Sequence, residues 1–307
     1  MTLLLYAATI LIWGSTWYAI KFQLNGTAEE VSVGIRFIIA AVVLFAFAAA
    51  RGKSVRIARP DWLMVALQGS LLFCLNYLFV YPGTNYIPSG LMAVLFTLLV
   101  PANLVNEKLF LKMSIDPRVA LAGGLGMLGV ALMLWPELSH TDLSSDSAKG
   151  IALGLAAVYF ASLGNVAATI NTRRRLSVTA VNAWGMLLGG SLSLAFAAVM
   201  GRPMTVQFDA AYGWTMLYLS VFGSAAAFTF YVMLIERIGS ARAAYSSVLL
   251  PVVALLLSTV FEGFVWTVAA MAGLALTLIG NVLALGAKQQ NTTKPPPTVP
   301  LTVAKPS

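Results

Sequence analysis

Stretches of about twenty residues with almost no charge recur ten times along this chain, and that recurrence limits what it can fold into. A run of this length matches the hydrocarbon thickness of a bilayer when helical. The stretches are Leu3–Phe22, Val31–Ala50, Trp62–Tyr81, Ile87–Asn106, Arg118–Trp135, Gly150–Ile170, Thr179–Val199, Trp214–Ile235, Ala243–Phe261 and Trp266–Ala287. Only 10% of the residues are charged and 59% are hydrophobic, against roughly 25% charged in soluble domains. In hydrocarbon each backbone amide must find its partner within the element, which selects helices. The expected fold is an all-α integral membrane protein of ten transmembrane helices. The first stretch has no basic residue before Lys21, so it lacks the charged leader of a cleaved signal and is expected to stay as a helix.

Charge placement tests the count. If both termini are cytoplasmic, the even-numbered loops and the tail face the cytoplasm. They hold Arg51, Lys53, Arg56 and Arg59; Lys108, Lys112 and Arg118; Arg173, Arg174 and Arg175; Arg237 and Arg242; and Lys288, Lys294 and Lys305. The opposite side holds Lys149 and Arg202 alone, and Lys21 and Arg36 fall within spans. This is the asymmetry of the positive-inside rule. It assigns the net charge of +8 to topology rather than to nucleic acid, and it points to a plasma (bacterial inner) membrane. The proline-rich tail, 288–307, cannot bury a core and is expected to be disordered.

The two halves resemble each other at a spacing of about 151 residues: Ser89 with Ser240, Pro101 with Pro251, Gly129 with Gly280. This divides the chain into a repeat over 1–135, a loop over 136–149 and a second repeat over 150–287. Five spans per half is an odd number, so the second repeat is inverted relative to the first. Many transporters are built this way, with the substrate site near the midplane. Pro101 and Pro251 predict kinks in the fourth and ninth spans, each freeing the carbonyl four residues earlier. Those residues are Thr97 and Ser247, whose hydroxyls are candidates for satisfying local backbone groups. Gly123, Gly124, Gly126 and Gly129 of the fifth span are expected to pack on Gly273 and Gly280 of the tenth.

Trp13-Gly14-Ser15-Thr16-Trp17 followed by Lys21, then Arg36-Phe37, opens the chain. Ile87-Pro88-Ser89 leads to Pro101, and Ile238-Gly239-Ser240 to Pro251. Gly223-Ser224-Ala225 marks the eighth span. Taken in order, these residues resemble the EamA-domain branch of the drug/metabolite transporter superfamily. The resemblance covers nearly the whole chain except the tail. One departure is visible: where family halves often carry Gly-Glu, this chain has Phe110-Leu111-Lys112 and Phe261-Glu262-Gly263. The resemblance implies export of amino acids, other metabolites or toxic organic compounds. It also implies a cavity lined by the first, third, fourth, sixth, eighth and ninth spans.

The residues themselves suggest the contents of that cavity. Trp13 and Trp17 lie one turn apart near mid-span, away from the interfaces that tryptophan prefers. Aromatic faces at that depth suit a planar or cationic substrate. Asn76, Tyr77, Tyr81, Phe160, Asn165, Tyr231, Tyr245 and Ser246 supply rings and uncharged hydrogen-bonding groups, the usual furniture of a small-molecule pocket. Each is equally readable as interhelical glue. Lys21 and Arg36 either guide a substrate carboxylate or snorkel outward and pair with Glu29 and Glu30. Glu107 and Glu262 are the best-placed carboxylates for proton coupling. The expected cargo is an aromatic or other neutral amino acid; toxic organic cations or drugs are the alternative. No aspartate lies within a span, and the chain has one histidine, His140, and one cysteine, Cys74. That inventory argues against an intramembrane enzyme, a metal site or a cofactor. No continuous ring of charge suggests a channel. The expected partners are a small-molecule substrate and the lipid bilayer, with a homodimer possible.

Overall fold

The computed structural model describes residues 2–24, 26–112, 117–139, 146–231 and 246–286. His140, Tyr245, the tail and parts of the eighth and ninth spans lie outside these residues. The described residues are helical with no strand. Six helical stretches, Thr2–Lys21, Glu29–Ala50, Arg59–Gly83, Ser89–Leu111, Asp146–Arg173 and Val178–Val199, are long and apolar enough to cross a bilayer. Ala120–Met133, Leu250–Phe261 and Val268–Gly280 are shorter apolar segments.

In chain order the helices are α1 (Thr2–Lys21), α2 (Glu29–Ala50), α3 (Trp62–Ser70), α4 (Asn76–Gly83), α5 (Ser89–Leu95), α6 (Leu99–Leu111), α7 (Pro117–Ser139), α8 (Asp146–Arg173), α9 (Val178–Val199), α10 (Ala210–Leu217), α11 (Ser246–Phe261) and α12 (Val268–Gly286). Two π-helical segments interrupt this pattern. Leu71–Leu75 joins α3 to α4, and Tyr218–Ala226 continues α10. Residues 222–226 of the second stand 151 positions after the first, the same offset as Ser89 to Ser240.

Helix partners follow the same exchange of halves. α7 packs on α12, α2 on α9 and α5 on α11. The contact of α1 with α11 is matched by that of α8 with α6, and the contact of α3 with α9 by that of α2 with Tyr218–Ala226. A pair of buried amides repeats too. Gln23 Nε2 donates to the Tyr212 carbonyl at 3.2 Å, and Asn171 Nδ2 donates to the Met64 carbonyl at 3.3 Å. Both partners are 148 residues apart between the halves. In each amide the side-chain oxygen has no hydrogen-bond partner among the described residues.

Loops of like parity meet. Gln207 N donates to Thr27 Oγ1 at 2.9 Å, and Asn85 Nδ2 donates to Glu29 Oε1 at 2.7 Å. At the other end Arg174 pairs with Asp61 at 2.9 Å.

The small residues act where backbones close up, though not as one stripe. A Cβ on Gly129 would stand 2.5 Å from the Gly273 carbonyl oxygen, and one on Gly280 would stand 2.6 Å from that of Ala122. Gly123 instead faces Pro101, and Gly124 and Gly126 face open space. Only part of the predicted glycine face therefore joins α7 to α12.

The fourth span breaks differently from expectation. Phe96–Leu98 is a 3₁₀ turn, and the α-helix restarts at Leu99. Pro101 then falls in the first turn of α6, where its missing N–H leaves no bond unmade. Thr97 Oγ1 donates to the Val94 carbonyl at 2.7 Å, so its hydroxyl supports the broken turn. Pro251 does lie inside α11. Ser246 and Ser247 belong to that helix, but their side chains are outside the described residues.

Candidate functional site

The second π segment brings the predicted site residues together. A π turn widens the helix and offsets its backbone, and such turns are frequent at functional positions. Here it presents Gly223 and Ser224 toward the first and second spans. Trp13 Nε1 donates to the Gly223 carbonyl at 3.2 Å. The Trp13 ring meets Phe228 and Tyr231, each with 5.3 Å between centroids. Trp17, one turn on, meets Phe96 at 4.8 Å, beside the 3₁₀ break. A Cβ on Gly223 would clash with Thr16 Cγ2 at 2.7 Å and lie 3.7 Å from Arg36 Nη2. Glycine is thus required for α1, α2 and the π segment to converge.

Arg36 neither snorkels nor pairs with Glu29 or Glu30. It is buried, with 2% of its surface exposed. Its Nε donates to Ser224 Oγ at 3.3 Å and its Nη1 to Tyr81 OH at 3.4 Å. The guanidinium lies 4.8 Å from the Tyr77 ring centroid and 5.2 Å from that of Phe37. Tyr77 and Tyr81 therefore serve the arginine, as ring face and hydroxyl respectively.

Lys21 goes elsewhere than expected: its Nζ meets Glu262 Oε1 at 2.8 Å. Glu262 also accepts from the Ser89 amide at 3.1 Å, from Ser89 Oγ at 2.5 Å and from Ser258 Oγ. Its side chain is 5% exposed, so it is no solvated loop acid. This cluster ties the ends of α1, α5 and α11 at the odd-loop end. Burial alone pushes the Glu262 carboxyl up, but Lys21, Ser258 and Ser89 outweigh it and hold it below the usual carboxylate range. Glu107, the other predicted coupling acid, is half-buried on α6. Sequence spacing favours Glu29 and Glu30 as partners of Lys21, because Glu262 is 241 positions away.

Other predicted residues make separate contacts. Phe160 stacks on Phe79 at 5.3 Å, and Asn165 Nδ2 donates to Asn103 Oδ1 at 3.4 Å. These link α8 to α4 and α6. Asn76 follows the first π segment; its Nδ2 donates to the Leu72 carbonyl at 3.3 Å, and its buried Oδ1 has no partner among the described residues. Ser224 is marked in the sequence by Gly223-Ser224-Ala225; Phe228 carries no such signal. Two grooves stand out among the described residues, and neither is lined by Trp13 or Arg36. One, about 740 Å³, is apolar and lies between Ile35, Ile39 and Trp214. The other, about 350 Å³, lies at the odd-loop end near Glu29 and Arg202.

Apolar spans converging on a few rings and polar groups at depth define a membrane carrier of small molecules rather than an enzyme. The sequence profile of the EamA-like transporter family matches residues 1–135 and 148–286, and the chain belongs to that family. It is 24% identical to Protein PagO of Salmonella typhimurium over 93% of each chain. It is 28% identical to the uncharacterized inner membrane transporter YedA of Escherichia coli, over 83% of this chain and 81% of that one. It is 24% identical to an S-adenosylmethionine/S-adenosylhomocysteine transporter of Chlamydia trachomatis, over 83% and 80%. A solved structure titled "Crystal structure of protein" shares the fold, with a TM-score of 0.67, 18% identity and coverage of 92% and 96%.

Proposed function

We propose that the protein exports aromatic or other neutral amino acids across a bacterial inner membrane by alternating access. In this reading ten spans form two inverted five-helix repeats with both termini in the cytoplasm. The observation that carries the substrate class is the ring group of Trp13, Phe228 and Tyr231, separated from the buried Arg36 by Gly223. Rings offer a planar side chain stacking and edge contacts, while Arg36 repels a cationic drug, which disfavours the alternative cargo. The matched π segments, helix partners and buried amides support the repeats. The Lys21–Glu262 cluster closes the odd-loop end, here the periplasmic end, in this conformation. YedA is named an inner membrane transporter, which supports the location.

Counterflow in proteoliposomes with a labelled panel of amino acids tests the reading. Aromatic and large neutral amino acids are expected to exchange. Replacing Tyr231 by alanine removes a ring contact of Trp13, an interaction of about 1 kcal/mol, and is expected to weaken exchange about fivefold. Trp17→Ala is expected to weaken it as well. A panel in which nothing moves rejects the substrate class.

A further inference from the structure

Arg36 carries a charge that no described residue answers. It stands seven residues into α2, roughly 10 Å along the helix axis from Glu29. The other charge near the outer ends of the spans, Lys21, is neutralised by Glu262. Arg36 has five N–H donors, but its described hydrogen bonds are to two hydroxyls, both near the outer limit of hydrogen-bond length. Hydroxyls and rings soften a buried guanidinium without balancing its charge, and intramembrane cations are costly. The partner that balances it best is a carboxylate, which takes two parallel N–H bonds.

Only the backbone of Gly223 and the methyl of Thr16 stand between Arg36 and Trp13: the Gly223 carbonyl holds the indole, and its Cβ position lies 2.7 Å from Thr16 Cγ2 and 3.7 Å from Arg36 Nη2. A molecule with its ring against Trp13 and Tyr231 would thus have its other end within reach of the guanidinium. The two hydroxyls now on Arg36 come from different halves of the chain, Tyr81 from the first and Ser224 from the second.

We propose that Arg36 is the anchor for the carboxylate of the transported molecule, and that the carboxylate displaces the Tyr81 and Ser224 hydroxyls when it binds. Displacing Ser224 cuts a bond between Arg36 and the second half, so occupancy loosens one half from the other. The proposal rests on the carrier reading above and narrows its cargo to molecules with a free carboxylate.

The test uses full-length protein in detergent, with ligand-dependent shifts in thermal unfolding for three probes: tryptophan, tryptamine and indole-3-propionate. Tryptophan and indole-3-propionate are expected to stabilise the protein at concentrations at least tenfold below those tryptamine needs. Arg36→Gln should remove that preference, and Arg36→Lys, which keeps charge but loses the fork, should keep a reduced one. If Arg36→Gln does not fold, Ser224→Ala and Tyr81→Phe decide. Each removes a competing hydroxyl, so carboxylate affinity rises severalfold under the proposal. Under a purely structural role it is unchanged. Equal response to tryptamine, no response to any probe, or unchanged affinity in those two variants overturns the anchor. Amino acids that exchange in liposomes with no dependence on Arg36 sink the anchor and leave the carrier reading intact. A silent amino-acid panel alongside Arg36-dependent binding of indole-3-propionate does the reverse.

Discussion

Gly69→Val is expected to cost about 3–4 kcal/mol and to leave little folded protein. A Cβ at Gly69 would stand 2.5 Å from the Gly185 carbonyl oxygen and 2.9 Å from Gly185 Cα. The obstacle is backbone, so no rotamer relieves it. Gly189 faces Gly69 reciprocally, its own Cβ position lying 2.6 Å from the Gly69 carbonyl. α3 and α9 must therefore part by roughly an ångström, more than ordinary overpacking asks; that alone costs about 1–3 kcal/mol. Separation also stretches the adjacent buried bond from Gln68 Nε2 to Asn182 Oδ1, now 3.2 Å, with about 1 kcal/mol more at stake. Against a total stability of about 5–15 kcal/mol the loss is severe. Gly126→Val is the control: nothing lies within 4 Å of its Cβ position, so its unfolding midpoint in detergent should stay near the wild type. Equal midpoints for the two variants would refute the close crossing.

That contrast shows what was readable from residues alone. Apolar run length and the sorting of Lys and Arg specify helices and their rough limits, because solvent imposes them on every residue of a span, while the family resemblance rests on the ordered motifs from Trp13-Gly14 to Pro251. The same physics does not say which way a glycine faces. Gly124, Gly126 and Gly129 look alike in sequence, yet the Cβ position of Gly129 faces α12, Gly126 meets Gly280 only through its backbone nitrogen, and Gly124 faces open space. The π segments were invisible because they change hydrogen-bond register without changing composition. Trp13 and Tyr231 are conspicuous rings within their spans and meet each other at 5.3 Å, with Gly223 between Trp13 and Arg36. Phe160 and Asn165, candidates for the same cavity by sequence, make contacts between α8 and α4 and between α8 and α6. Lys21 was given neighbours in sequence as partners; its true partner is brought by the packing of α1 on α11.

Glu262→Ala is expected to shift the odd-loop end toward an open state by about thirtyfold. Breaking a buried ion pair costs about 3–5 kcal/mol, and Lys21, 35% exposed, recovers part of that in water, which leaves about 2 kcal/mol. Glu262 joins Lys21 of α1 to Ser89 of α5 and Ser258 of α11, so its loss frees the end of α1, while Gly90 N, donating to Ser258 Oγ at 2.8 Å, still ties α5 to α11. Ile87, 2% exposed, reports on this end. With Cys74 replaced by alanine, an Ile87→Cys reporter should react with an impermeant maleimide slowly in the parent and many times faster with Glu262→Ala. Glu262→Gln should fall between them, because the amide keeps shape but loses the charge. The pH response has a definite sign. A carboxyl held below its ordinary range favours the closed end fully above that range and loses this effect as pH falls through the lowered value. Labelling of the parent should therefore be flat from pH 8 to pH 6 and rise only in acid. A rise already present between pH 8 and pH 6 would mean that Glu262 takes up a proton near neutrality. It would then be the coupling carboxylate its position in the sequence suggested, rather than the anionic half of a latch.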